Sequence, residues 1–372
     1  MIDRAAGFVP GHQLSKALYA DQVGPALARE FPRLRYAAGL VGRGSDVLGY
    51  DSERSTDHDW GPRLQIVLPE ADRAGLADPI LRTVDAALPD TVCGVPVELP
   101  GATNLPGDEV TNYNSQSPRN HGVTVTSVER LMQELLDTAI APDRWTSARW
   151  LATPRQSLLE FTAGPLHRDD SGELTAARST LARYPQDVWL YVMSGRWQRI
   201  AQLESFVGRT FEVGDEIGSR VLIAQIVRDA MQLALLQQRA YTPYPKWLGT
   251  AFERAEGDPE LPRLLSSALS ADNSAERQQF LIAALLELSR RHDRLQLTDP
   301  IRSRTESFFG RPFPVIWCER IARALHSAID DPEVATLTFG LGGIDEISDS
   351  TNALGSGALR TKIISGYRPG AV

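Results

Sequence analysis

Apolar positions change their spacing once along the chain. Between about residues 34 and 125 they come in short runs, RLRYAAGLVG, PRLQIVLPE, CGVPVELP and HGVTVTS, each bounded by Gly, Pro, Asn or Asp. Such runs predict strands joined by turns. One helical stretch, LADPILRTVDAALP at residues 76–89, falls between the second and third of them. After about residue 126 the apolar positions recur at helical spacing, in SVERLMQELLDTAI, VWLYVMSGRWQRIAQLESFVGRTF, GSRVLIAQIVRDAMQLALLQQRAY and AERQQFLIAALLELSRRH. The expected architecture is therefore α+β, with a small mixed sheet in residues 1–125 and a helical bundle in residues 126–372. No fixed-period repeat or low-complexity linker separates the halves, so the two are expected to pack around a cleft.

Composition narrows the function classes. The chain has 372 residues, 42% of them hydrophobic and 23% charged, enough for two cores. A net charge of −8 argues against a general nucleic-acid binder, which would carry a basic excess, although a local basic cleft is allowed. Two cysteines, Cys93 and Cys318, are too few for a disulfide framework or a cysteine-built zinc site, and they favour a reducing cytoplasm. The opening MIDRAAGFVPGHQ has no apolar core of a signal peptide, and no stretch reaches membrane-spanning length, so the chain reads as cytoplasmic with no membrane partner.

The candidate chemistry lies in GRGSDVLGYDSERSTDHDWG, residues 42–61. After the strand ending at Leu40 and Val41, Gly44 and Ser45 offer a turn whose N–H groups and one hydroxyl can meet a phosphate with no Cβ in the way. After a gap of eleven residues come Asp57, His58 and Asp59, leading into RLQIVLPE. If the strand begins at that triplet, the two aspartates share a face roughly 7 Å apart and can hold one or two hard cations such as Mg2+. A third acid on a neighbouring strand completes a site for in-line displacement at phosphorus, and Glu98 in VPVEL is the candidate.

This pattern of Gly44 and Ser45, the eleven-residue gap, Asp57-X-Asp59 and a later strand acid resembles the nucleotidyltransferase superfamily of polymerase-β type, which includes aminoglycoside and lincosamide nucleotidyltransferases. The longer signature, with RYPQDVWLY, GDEIGS, RAYTPYPKW and GGIDEISDST, resembles a bacterial branch of that superfamily, of the domain-of-unknown-function type, over nearly the whole chain. The resemblance implies an NTP as donor and a divalent cation, Mg2+ or Mn2+. It assigns Gly44 and Ser45 to the triphosphate, Asp57 and Asp59 to the metal, and Glu98 to the third carboxylate. His58 departs from the pattern, where an apolar residue usually stands.

Other residues carry weaker signals. Lys246, in YTPYPKW, is a candidate point charge for the triphosphate, against its reading as a surface lysine beside a tryptophan. Asn112, Asn114, Arg119, Asn120 and His121 make a polar loop that reads as connection, and GLGGIDEISDST (341–352) reads as a loop or a substrate-side surface. Trp189, Trp197 and Trp247 read as packing residues, and His292 and His326 lack partners at ligand spacing. The expected activity is transfer of a nucleoside monophosphate from an NTP to a hydroxyl of a small-molecule acceptor, with release of pyrophosphate. The alternatives are an inactive nucleotide-binding regulator of the same fold, or transfer to tRNA or protein; the acidic net charge speaks against a tRNA acceptor.

Overall fold

Two residues of β2 (Arg63–Val67), Leu64 and Ile66, point into one face of a four-stranded sheet and are fully buried. The computed structural model describes residues 7–57, 60–98 and 120–367. The sheet has the order β5-β2-β1-β6. In it β1 (Ala37–Gly39) runs antiparallel to β2 and to β6 (Leu166–Asp169), while β5 (Gly122–Thr126) runs parallel to β2. A parallel neighbour needs a crossover, and the helix α3 (Glu70–Ala87) lies within it.

Against Leu64 and Ile66 stand Ala38 of β1, Val123 of β5, Ile80 and Val84 of α3, and Leu14 and Leu18 of α1 (Gly11–Leu18). Burying each large aliphatic side chain contributes roughly 1.5–3 kcal/mol, so this layer is what fixes the strand register. A π-helical turn at Tyr19–Val23 carries α1 into α2 (Gly24–Glu30). The opposite sheet face takes Arg63 and Gln65 from β2, and Thr124 is the register partner of Gln65.

Three local outcomes differ from the expected elements. The helix expected at 76–89 begins at Glu70, because Pro69 takes the N-cap position and Glu70 and Asp72 sit in a first turn that favours negative charge. The strand expected across 93–100 is a tight hairpin instead, β3 (Thr91–Val92) against β4 (Val95–Pro96), turning on Cys93 and Gly94 at φ 49° and 78°. Two positive φ values are what a two-residue hairpin turn of type I′ requires. The polar β6, LHRD, carries no alternating pattern, yet it pairs with β1 through its backbone.

By chain contacts the molecule divides into two units, residues 1–144 with 157–182, and residues 145–156 with 183–372. The first also holds α4 (Val128–Leu136) and a helix at Glu173–Leu181. The second is built on helices at Gln186–Glu204, Glu216–Gln237, Ser274–Leu295 and Cys318–Ser327, with one small hairpin, Glu306–Phe308 against Arg311–Val315. In it Trp189 and Trp197 are buried, as packing residues should be. Among the described residues no helix is long and apolar enough to cross a membrane. The fold is α+β, a small mixed sheet accompanied by a helical region.

Candidate functional site

The turn after β1 is tied down from both sides. Gly42 and Gly44 take φ values of 116° and 119°, a region that L side chains rarely adopt, so glycine is needed at both positions. Leu40 donates its N–H to the Pro165 carbonyl at 2.9 Å and Gly42 donates to the Glu160 carbonyl at 3.0 Å. Past the turn, the Tyr50 N–H reaches the Ser45 carbonyl at 2.9 Å. Asp51 then accepts from the Gly11 N–H at 2.7 Å, at the start of α1, and from the Trp60 indole at 3.0 Å.

β2 supplies the remaining restraints. Gln65 accepts the Val41 N–H at 2.6 Å. Two residues earlier, Arg63 donates to the Arg43 carbonyl at 2.9 Å and to both carboxylate oxygens of Asp46, at 3.3 and 2.5 Å. Arg63 therefore holds the residues on either side of Gly44 and Ser45. The ion pair is buried, with Arg63 2% and Asp46 0% exposed. Burial raises the Asp46 carboxyl above its ordinary range, and the Arg63 guanidinium opposes that rise. The missed signal is legible in hindsight in RLQIV, where Arg and Gln alternate with Leu and Ile on a strand otherwise fit for burial.

A cavity of about 540 Å3 opens on this face of the first unit. Its walls come from Val41, Gly42 and Arg43 at the start of the turn, from Arg63 and Gln65 of β2, from residues 124–126 of β5, from Arg73 of α3, and from Arg130 to Leu135 of α4. Arg73 and Arg130 are fastened by one carboxylate. Glu70 accepts from the Arg73 Nε at 3.1 Å and from the Arg130 Nε at 3.1 Å. Bonds from Arg73, then from the Ser127 hydroxyl and Arg130, lower the Glu70 carboxyl to about 2, so it stays anionic.

The expected site residues fall as follows. Gly44 and Ser45 form the pinned turn, both half-buried. β2 begins at Arg63, not at the aspartates, so strand alternation does not set their spacing. Asp57 closes a 3-10 turn (Glu53–Asp57), while its side chain, together with His58 and Asp59, lies outside the described residues. Glu98 is exposed and forms an isolated antiparallel bridge with His121. Neither β1 nor β5, the strands flanking β2, carries a carboxylate.

Asn112, Asn114 and Arg119 also lie outside the described residues. His121 is buried and engaged at both nitrogens: its Nδ1 accepts the Val123 N–H at 3.1 Å, so Nε2 donates to Asp85 at 2.8 Å. Lys246 belongs to the second unit, exposed at the start of a helix (Pro245–Ala255), with Nζ 5.0 Å from the Trp247 ring. Among the described residues no three His, Cys, Asp or Glu stand together as a cation site.

In the second unit the first half of the stretch at 341–352 folds inward. Glu346 is 2% exposed and lies between Arg155, at 2.7 Å, and Arg196, at 2.5 Å; Arg196 also bonds Asp229. Burial would raise the Glu346 carboxyl, but the two guanidiniums hold it below the ordinary range. Its glycine-rich approach fits closely: a Cβ on Gly195 would stand 2.6 Å from Gly342. Within this stretch Glu346 is a buried counter-ion for the helices, while Ile347 and residues 349–352 stay exposed.

Comparison with known proteins adds the following. Residues 150–248 match a domain of unknown function (DUF4037), a span that includes RYPQDVWLY and RAYTPYPKW but not the turn at 42–46. No protein among the curated ones matches the chain. A nucleotidyltransferase-like protein of known structure from Exiguobacterium sibiricum 255-15 aligns over 86% of this chain and 89% of its own, at 12% identity and a TM-score of 0.34. The chain is thus similar in part to a domain family of unknown function, and at low identity to a protein described as nucleotidyltransferase-like.

Proposed function

We propose that this protein is a metal-dependent nucleotidyltransferase that moves a nucleoside monophosphate from an NTP to a hydroxyl of a small molecule. The observation that carries the reading is the pinned Gly44-Ser45 turn beside an arginine-lined cavity of about 540 Å3. A preorganised turn whose Gly44 and Ser45 N–H groups make no hydrogen bond among the described residues, with guanidiniums nearby, suits a triphosphate, because the donors need no rearrangement when the anion arrives. In the reaction the acceptor oxygen bonds to the α-phosphorus and the bond from that phosphorus to the bridging oxygen breaks. Pyrophosphate leaves, and the hydroxyl proton passes to a base, a role we propose for Glu98.

Asp57 and Asp59 are the residues proposed to hold Mg2+ or Mn2+, an assignment that rests on their residue type and spacing. Such a cation would neutralise phosphate charge when bound. The test is a thermal-shift and pyrophosphate-release screen of the four NTPs with Mg2+ against aminoglycosides, lincosamides, tRNA and protein. A true donor raises the melting temperature even with no acceptor present. The reading fails if no NTP stabilises the protein, or if Asp57→Asn turns over an NTP at the wild-type rate.

A further inference from the structure

We propose that the wall of this cavity formed by Arg73 and Arg130 is a second anion subsite, and that the acceptor is a small acid bearing a phosphate or carboxylate, not a polycation such as an aminoglycoside. The proposal rests on the nucleotidyltransferase reading above. Four arginines and one glutamate line the cavity, in a chain whose net charge is −8. Arg63 is matched by Asp46, whereas Arg43 pairs with no carboxylate among the described residues.

Glu70 does not line the cavity. It grips Arg130 only through Nε, and the two Nη groups of Arg130 make no hydrogen bond among the described residues. The same carboxylate takes Nε and one Nη of Arg73. Two guanidiniums are thus fixed from behind with terminal nitrogens left over, the arrangement that reads a planar or tetrahedral oxyanion. An exposed pair of this kind contributes little to stability, so its geometry matters more for what enters the cavity.

The donor triphosphate is also an anion, and position separates the two. Arg63, at the start of β2, meets the turn, while the Leu68 N–H, just past its end, bonds the Thr126 carbonyl, one residue before Ser127 caps α4. Five strand steps at about 3.3 Å place these backbone ends roughly 17 Å apart. The turn lies at one end for the donor, and Arg73 and Arg130 at the other for its co-substrate. A polycationic acceptor would meet like charge there, which costs affinity.

The test is calorimetry on the full chain. The α,β-methylene analogue of the stabilising NTP is titrated with Mg2+, and inorganic phosphate is then titrated into the analogue-saturated protein. Phosphate should bind; Arg73→Gln and Arg130→Gln should each weaken it about tenfold or more and leave analogue affinity within about twofold. The proposal is overturned if phosphate does not bind, if the analogue displaces it, if the arginine variants weaken the analogue as much as phosphate, or if an aminoglycoside is turned over. Phosphate binding through Arg73 and Arg130 with no analogue binding would leave the subsite standing and end the nucleotidyltransferase reading.

Discussion

Arg63→Met is the sharpest perturbation of the site. It keeps most of the aliphatic bulk and deletes the guanidinium, leaving Asp46, 0% exposed, without its counter-ion and the Arg43 carbonyl without its donor. Orphaning one partner of a buried ion pair costs about 3–5 kcal/mol, a large part of the roughly 5–15 kcal/mol that holds a domain together. The deficit should also depend on pH. Burial already raises the folded Asp46 carboxyl, and loss of Arg63 raises it further, whereas the unfolded carboxyl titrates near 3.9. The folded variant then binds protons that the unfolded chain has released, so its stability is best preserved below about pH 4 and falls as pH rises through the folded value.

Urea denaturation at a series of pH values measures this directly. A deficit under about 1 kcal/mol at pH 7, or one that is flat with pH, would refute the reasoning. Adding Asp46→Ala removes the orphaned charge and should recover most of the stability, since the Cβ that packs on Gly11 is kept. NTP affinity should stay low in that double variant, because the bonds from Arg63 to the Arg43 carbonyl and to Asp46, on either side of Gly44 and Ser45, are then gone. If affinity returns with stability, the pair supports the fold and does not position the site.

Further expectations follow from the same geometry. Ser45→Ala should weaken NTP binding by about 1.5–3 kcal/mol with little effect on the unphosphorylated nucleoside, as calorimetry on both would report; equal losses would remove Ser45 from phosphate recognition. Glu98→Gln should lower kcat by about 10²-fold while Mg·NTP affinity stays within a few-fold, and normal turnover would end its assignment as base. Lys246→Ala should raise KM for NTP, an unchanged KM returning it to a surface role. Gly195→Ala should destabilise the protein by about 1–3 kcal/mol in thermal melts, because its Cβ would press on Gly342 at 2.6 Å and lift the turn that seats Glu346; a wild-type melting curve would show that the turn gives way freely.

Local pattern was enough for much of this protein. Helical spacing in the stretch containing VWLYVMSGRW and in that containing QIVRDAMQLALL predicted long helices, and helices stand at Gln186–Glu204 and Glu216–Gln237. Alternation in RLQIV and GVTVT predicted strands, and glycine beside serine predicted the turn. Each of these is a property of neighbouring residues, whose periodicity or φ preference acts within a few positions.

What closes the site is set by partners far apart in the chain. At the site Asp46 and Arg63 are separated by 17 positions and Glu70 and Arg130 by 60, and in the second unit the buried pair of Arg155 and Glu346 is separated by 191. A buried arginine reads from sequence as a surface one, since only the packed sheet removes water from it and brings its carboxylate. β6 joins the sheet for the same reason: its backbone groups bond to β1 whatever side chains it carries, and LHRD offers no pattern to announce it. The turn and the helices were therefore written locally, while the charge that surrounds the turn was decided by which strands and helices the shared core brought together.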